Sequence, residues 1–245
     1  MKKITSFVLI LLFVFSFAQK EKTSIKQEIK KIYSEFNQKN SELSKKYLLK
    51  YKGSKNKKLS DTENTALELS RKNDYKKYRD EIEPFIKLKL EKLKILLDKI
   101  NEENPLIGKT IIYLKDDPVE TLSIESAKKS PFYNDFEFIG ITKNEEIDFV
   151  KRVENIQKIR KDLVENFDTS DFYDSDEITL SVKITFILDE DGFIKKVRPT
   201  ETNNEEFAYF SALSLYEMNK KYEPSSYRGK PILSRYGLPI KMNFQ

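Results

Sequence analysis

The sequence contains no histidine and no cysteine. Zinc sites with thiolate or imidazole ligands, serine–histidine and cysteine–histidine nucleophilic pairs, and thioredoxin-like redox motifs all need one of these residues and are excluded. Without cysteine the chain has no disulfide to strengthen it in an oxidising compartment. Because the sequence contains no further motif that would bring catalytic residues together, we predict a protein that is not an enzyme and that has no cofactor.

Carboxylates are the reactive groups that remain. Paired carboxylates can hydrolyse glycosides, and Asp189, Glu190 and Asp191 offer oxygen ligands of the kind that calcium prefers. These three residues directly precede Gly192, and short polar residues followed by glycine are typical of a tight turn. The turn is the favoured interpretation, and no metal site is predicted.

Basic and acidic residues are nearly balanced, with 45 Lys and Arg against 40 Asp and Glu. Because the two signs are interspersed, the sequence predicts no nucleic-acid partner, and no motif indicates a small-molecule substrate. The lysine-rich stretch from Lys50 to Lys58 is the exception. It has two interpretations, a surface for anionic lipid or polymer and a solvated loop between helices, and the loop is favoured.

The N-terminus has the pattern of a secretory signal peptide. Lys2 and Lys3 precede an apolar run from Ile4 to Ala18, and Ser16-Phe17-Ala18 offers a small-x-small cleavage site. We predict cleavage between Ala18 and Gln19, which assigns residues 1–18 to the signal and the mature chain to a bacterial periplasm or cell envelope. An uncleaved anchor is the alternative, although the run is shorter than the roughly 20 residues that span a bilayer.

Residues 19–101 have a helical pattern. A first helix carries apolar residues on one face and ends before Gly53, and Ser60-Asp61-Thr62-Glu63 resembles a capping box that opens a second helix. Pro84 indicates a helix boundary or a kink, because proline removes a backbone donor. A third helix then carries an apolar stripe, with packing inside the chain favoured over self-association. The stripe consists of Ile86, Leu90, Leu93, Leu97 and Ile100.

The helical pattern ends before residues 102–143. Short β-like runs at residues 111–114 and 136–139 are separated by prolines, and their pairing cannot be assigned from the pattern. We therefore treat this stretch as an irregular or β connecting region.

The pattern of residues 144–245 predicts a small α+β domain. A helix begins at Asn144, and a β-hairpin follows in which Ile178, Leu180, Val182, Ile184, Phe186 and Leu188 alternate with polar residues. Asn204 opens a second helix that ends near Lys221, and a last strand alternates up to Phe244. The aromatic side chains of Tyr209, Phe210 and Tyr216 are assigned to the core.

The segments Ile184 to Gly192, Tyr222 to Pro224, Gly229 to Pro231 and Leu238 to Ile240, followed by Phe244, resemble the C-terminal domain of the TonB family in content and order. The resemblance covers roughly the last third of the chain. It implies a helix, strand, strand, helix, strand order in which an antiparallel sheet is packed by helices. Tyr222 stands where the family usually has tryptophan.

The resemblance also implies a function. Such domains bind an extended peptide of an envelope or outer-membrane protein by strand addition to the last strand, here Ile232 to Phe244. The candidate binding residues are Ile232, Ser234, Tyr236, Leu238, Ile240, Lys241, Met242, Asn243 and Phe244. Two alternatives stay open, an envelope scaffold whose helical half makes the contacts and a divergent membrane-anchored energy transducer. Self-association through Ile86, Leu90, Leu93 and Leu97 is a further possible contact.

Overall fold

The computed structural model describes residues 2–52, 60–130, 133–134, 136–142, 149–167 and 179–243, with side chains from residue 25 onward except at 61 and 149–153. The chain divides into two compact units, residues 1–95 and residues 96–245. The predicted cleavage site at Ala18 and Gln19, the helix start at Asn144, Ile178 and the strand end at Phe244 lie outside the residues or side chains described. In the described part of the chain, no helix has an apolar stretch long enough to cross a membrane.

The first unit is an antiparallel helical hairpin. Helix α1 spans Lys2–Tyr47, a single 3-10 turn follows at Leu49–Tyr51, and helix α2 begins at Asp61. Leu43 and Tyr47 of α1 pack with Ile82 of α2 in a buried cluster, and the Tyr47 hydroxyl donates to the Glu81 carboxylate. The two apolar faces cover each other, as the helical periodicity predicts.

The capping box at the start of α2 is confirmed. The Glu63 carboxylate accepts from the Ser60 backbone N–H at 2.9 Å, and Ser60 Oγ accepts from the Glu63 N–H at 3.4 Å. At Pro84 the sequence predicted a helix boundary or a kink, and the boundary is wrong, because α2 continues through the proline from Asp61 to Glu103. Ile82 and Leu93 are buried on either side of the proline, so apolar packing offsets the backbone bond that proline removes.

The second unit is mixed α+β. Its described elements after the end of α2 are β1 (Thr110–Leu114), α3 (Pro118–Lys128), β2 (Glu137–Ile141), α4 (Phe149–Asn166), β3 (Thr179–Leu188), β4 (Ile194–Thr202), α5 (Glu205–Met218), β5 (Ser226–Tyr227), β6 (Lys230–Pro231) and β7 (Ser234–Asn243). The predicted hairpin is β3 and β4, and the predicted N-cap residue Asn204 accepts from the Phe207 N–H at 2.9 Å. These predictions are confirmed.

The main sheet is antiparallel, with the strand order β4-β3-β7. The alternation predicted for β3 is confirmed: Leu180, Val182, Ile184, Phe186 and Leu188 are all buried, whereas Lys183 is exposed. One face of the sheet packs against α4 and α5, where Ile159, Leu163, Phe207 and Leu213 are buried. The core of the unit lies between this face and the two helices.

The connecting region forms a strand, helix, strand arrangement. Strands β1 and β2 pair in parallel, with α3 as the crossover between them. Ile111 of β1 and Ile124 of α3 form a buried cluster with Ile187 of β3 and with Leu233, the residue before β7. Ile187 directs its side chain to the face opposite Phe186, so this arrangement covers one end of the second face of the sheet.

The acidic segment is a turn, as predicted. The Gly192 N–H donates to the Asp189 carbonyl at 2.9 Å, and Asp189 Oδ1 accepts from the Phe193 N–H at the same distance. Gly192 has a φ of +83°, a conformation that glycine adopts without steric cost. The Gly192 carbonyl in turn accepts from the Tyr222 N–H at 2.7 Å, so the turn is fastened to the segment that follows α5.

Helix α4 is held to that same segment by a buried carboxylate. Asp162 Oδ1 accepts from Lys220 Nζ at 2.6 Å and Oδ2 accepts from the Tyr222 hydroxyl at 3.0 Å. The hydrogen bond from Lys220 lowers the pKa of Asp162, and the Tyr222 hydroxyl acts in the same direction, although burial opposes both. The folded state therefore favours the ionised carboxylate.

Asp162→Asn is expected to lower the free energy of unfolding by about 1 to 3 kcal/mol at neutral pH, since two donors lose an ionised acceptor. Because the folded-state pKa is depressed, this stabilisation is complete above the unfolded-state value near 3.9 and is lost as the pH falls through the folded-state value. Urea titrations at neutral and acidic pH measure it. Glu165→Gln, an exposed position on the same helix, is the control. A difference from wild type that persists unchanged in acid would contradict the assignment.

Candidate functional site

The outer edge of β7 is the candidate site, and the direction of its backbone groups follows from the sheet. Along an antiparallel strand, successive residues direct their N–H and C=O groups to alternate neighbours. The Ser181 carbonyl accepts from the Asn203 N–H on the β4 side, so even-numbered residues of β3 face β7. The register pairs even with even, as in Val182 with Ile240. Odd-numbered residues of β7 therefore direct their backbone groups outward.

The outward row consists of Arg235, Gly237, Pro239, Lys241 and Asn243. The backbone N–H groups of Gly237 and Lys241 have no partner among the described residues, and no described strand pairs with this edge beyond Leu233. Pro239 has no N–H to donate, so it divides the row of donors into a segment before it and a segment after it.

The predicted binding residues fall into two sets. The side chains of Ile232, Ser234, Tyr236 and Leu238 are buried, and those of Ile240 and Met242 are partly buried. Ile232 precedes β7 and packs with Ile112 of β1 and Ile141 of β2. The others belong to the core side of β7, where the Tyr236 ring stacks on Phe186 with centroids 5.4 Å apart. Lys241 and Asn243 are exposed and belong to the outward row, whereas Phe244 lies outside the described residues.

Strand β1 limits this edge at its beginning. The Leu233 N–H donates to the Thr110 carbonyl at 3.1 Å, and Ile111 forms a parallel bridge with Leu233. Beyond Leu233 a cavity of about 360 Å³ lies between β1, α3 and β7, lined by Ile111, Tyr113, Val119, Ser123 and Gly237 among others. We call this space the β1–β7 cleft.

The floor of the β1–β7 cleft is the part of the second sheet face that α3 leaves uncovered. Lys183 and Thr185 of β3 lie there beside Arg235 and Gly237 of β7. The Arg235 guanidinium donates to Ser123 Oγ at 2.6 Å, which links the floor to α3. Ser225 also lines the cleft; it is 2% exposed, and its hydroxyl has no hydrogen-bond partner among the described residues.

The opposite wall of the cleft is closed by a carboxylate. Lys115 N–H donates to Ile141 of β2, so the Leu114 N–H, one residue earlier in β1, points away from β2. Glu120 Oε2 accepts from this N–H at 2.8 Å. The edge of β1 is thus capped by a side chain of α3, and β7 is the open edge of the cleft.

Sequence reasoning missed helix α3 and the residues that it adds to the cleft. Asp117 caps the helix, with Oδ1 accepting from the N–H groups of Val119 and Glu120, and Pro118 occupies the first helical position. An Asp-Pro step is a known signal for a helix start. Ser225 and Arg235 were missed because their role depends on residues of α3 and β1 that lie far away in the sequence.

The first unit has a cavity of its own, of about 320 Å³, between α1 and α2. Its charged lining residues are largely paired: Lys39 contacts Glu42 at 3.0 Å and Lys92 contacts Glu35 at 2.5 Å. The third lysine of the lining, Lys89, lies over the Phe36 ring with its Nζ 3.9 Å from the ring centroid. Every charged side chain of this cavity is thus engaged within the unit, and the lining indicates no particular ligand.

The residues considered for self-association divide by exposure. Leu93 is 0% and Leu97 is 3% exposed, Leu90 is partly buried, and Ile86 is 37% exposed. Two of the four side chains are thus already covered within the chain, which agrees with the favoured interpretation of packing inside the chain.

Comparison of the chain with protein-family models, with curated proteins and with solved structures finds no match. The open edge of β7 and the β1–β7 cleft are therefore the features from which a function can be inferred.

Proposed function

We propose that this chain is an exported cell-envelope protein whose second unit is a non-catalytic binding module, which takes up an extended peptide by strand addition along β7. The observation that carries the proposal is the outer edge from Gly237 to Asn243, where backbone groups point away from the sheet and no described strand pairs with them. Main-chain hydrogen bonds to such an edge provide affinity that depends little on peptide sequence.

The order of elements supports a TonB-like arrangement of this unit. Helix α4 precedes the hairpin of β3 and β4, and α5 precedes the final strand β7, with only the short β5 and β6 between them. The resemblance implies this order and assigns peptide recognition to the last strand. The partner that fits is a segment of an envelope or outer-membrane protein.

The rim of the β1–β7 cleft supplies apolar contact for such a peptide. Val119 of α3 lines the cleft and is 77% exposed. Large apolar side chains exposed beside an open strand edge are typical of peptide-binding grooves, in which the backbone pairs and alternate side chains enter pockets.

Lys241→Pro tests the strand pairing, with Lys241→Ala as the matched control. Both variants remove the ammonium group, but only the proline removes the outward N–H, so we expect Lys241→Pro to weaken peptide binding by about fivefold or more relative to Lys241→Ala. Synthetic peptides tiled from outer-membrane proteins of the host, added to isotope-labelled protein, provide the NMR titration. Melting curves should show that both variants fold.

The proposal fails if the peptides perturb amide shifts only in the helical hairpin and leave β7 unchanged. That outcome would favour the alternative in which the sheet is a scaffold and the first unit makes the contacts.

The exported location has a separate test, motivated by Lys2, Lys3 and the apolar run up to Ala18. The protein recovered from the envelope fraction of its host should have an intact mass that corresponds to a chain beginning at Gln19. Recovery of a chain that retains Met1 in the membrane fraction would contradict cleavage.

A further inference from the structure

Strand β1 begins a parallel ladder with the β7 segment and then leaves it. The Thr110 carbonyl accepts from the Leu233 N–H, and Ile111 bridges Leu233, but no further bridge between these strands follows among the described residues. Because the Lys115 N–H donates to β2, the even-numbered residues of β1 direct their backbone groups to the β7 side. Strand β1 therefore turns hydrogen-bonding groups toward the outward row of β7.

The register fixes how this ladder would continue. One step beyond the bridge between Ile111 and Leu233, the Leu114 N–H would donate to the Arg235 carbonyl. In the following step the Gly237 N–H would donate to the Leu114 carbonyl. Both backbone groups of Leu114 thus have a matching group on β7.

Helix α3 occupies both of these groups instead. Glu120 Oε2 accepts from the Leu114 N–H at 2.8 Å, and the Leu114 carbonyl accepts from Thr121 Oγ1 at 3.3 Å and from the Asp117 N–H at 3.4 Å. We call the side chains of Glu120 and Thr121 the α3 latch. The latch supplies one acceptor and one donor, which are the groups that the missing steps of the ladder would otherwise supply.

The same helix also contacts β7. Ser123 Oγ accepts from the Arg235 guanidinium at 2.6 Å, and the β1–β7 cleft lies between the two strands. If β1 paired further along β7, two ladder bonds would replace the two latch bonds, and the Gly237 N–H, which has no partner among the described residues, would gain one. The bond to the Glu120 carboxylate is charge-assisted and stronger than a bond to a carbonyl, which favours the open cleft.

We propose that the α3 latch keeps the outer edge of β7 accessible by holding β1 away from it, so that the β1–β7 cleft has an open and a closed arrangement. In the closed arrangement β1 covers Arg235 and Gly237, and the strand order becomes β4-β3-β7-β1-β2. Glu120 and Thr121 are positioning residues that act through Leu114. The consequence for peptide binding rests on the proposed function, whereas the closing step needs no peptide.

Glu120→Ala tests the latch, and Glu120→Gln is the matched control because its amide oxygen keeps an acceptor for the Leu114 N–H. In NMR hydrogen-exchange measurements on the full chain without peptide, the Gly237 amide should exchange about threefold or more slowly in Glu120→Ala than in wild type. The Leu114 amide should stay protected, since the Arg235 carbonyl replaces the lost carboxylate. Glu120→Gln should exchange like wild type at both positions.

Thr121→Val tests the other half of the latch, because it keeps the shape of the side chain and removes only the hydroxyl. It should also slow exchange at Gly237, whereas Thr121→Ser, which keeps the hydroxyl, should not. Melting curves identify the variants that fold, and either pair of variants is sufficient for the test.

Unchanged or faster exchange at Gly237 in a folded Glu120→Ala or Thr121→Val variant would overturn the latch and leave strand addition intact. Faster exchange at Leu114 would also overturn it, because α3 would then only protect the end of β1. Since closed molecules cannot pair with a peptide at Gly237, Glu120→Ala should weaken peptide binding by about the factor by which exchange slows. Slower exchange at Gly237, with no peptide binding to wild type, would overturn strand addition and leave the latch.

Discussion

Phe186→Ala and Ile184→Ala should each lower the free energy of unfolding by about 2 to 5 kcal/mol in denaturant titrations, because each removes a large buried side chain and leaves a cavity. Ile184 is 0% and Phe186 is 1% exposed, and the Phe186 ring stacks on Tyr236 of β7. Truncation of Phe186 also removes its ring stacking on Tyr236 of the proposed binding strand, while the backbone pairing of β3 with β7 remains.

Lys183→Ala is the control for these variants. Lys183 lies between Val182 and Ile184 on β3, but its side chain points to the opposite face of the sheet. There it forms an ion pair with Glu201, whose side chain is exposed. Its loss should change the free energy of unfolding by less than about 1 kcal/mol. Equal losses for Lys183 and Ile184 would show that the strand is shifted by one residue, since a one-residue slip exchanges the two faces.

Gly192→Ala should destabilise the second unit by about 3 kcal/mol or more. An added Cβ at Gly192 would lie 2.0 Å from the Tyr222 carbonyl oxygen, and backbone at that distance has to move. The left-handed φ of +83° adds a cost of roughly 1 to 2 kcal/mol for a residue with a side chain. The substitution therefore strains both the hairpin turn and its attachment to the Tyr222 segment.

Gly229→Ala separates the two causes. Gly229 has a similar φ of +75°, but an added Cβ there meets nothing within 4 Å. It should therefore cost only the left-handed strain, about 1 to 2 kcal/mol. Thermal or denaturant unfolding of both variants measures the difference, and equal losses would mean that the close approach of Gly192 to Tyr222 has no energetic consequence.

The elements that sequence predicted best are those whose signals are local. The alternation in β3 and the cap at Asn204 each lie within one short stretch and are both present as predicted. Pro84 shows the limit of such signals: a proline destabilises a helix locally, but packing of the apolar residues around it keeps α2 continuous, so the boundary that the sequence predicted there is absent.

The cleft was not predictable in the same way, because it is made by contacts between distant segments. Ile187 occupies an odd position in β3, where alternation predicts exposure, yet it is 2% exposed because Ile111 and Ile124 cover it. Arg235 contacts Ser123, more than a hundred positions earlier. No local periodicity contains that pairing, and the parallel register of β1 and β2 was likewise open in the sequence.

Pro239 has a consequence for how the protein behaves at high concentration. An uninterrupted open edge would template the stacking of further copies into fibrils, since each added strand exposes a new edge. The missing donor at Pro239 and the charge of Lys241 make the edge of β7 a poor template for further copies of the same strand, whereas the short segments on either side keep the outward backbone groups that the proposed peptide binding needs. Pro239, which would limit the length of a peptide paired with β7, thus also opposes edge-to-edge aggregation at high protein concentration.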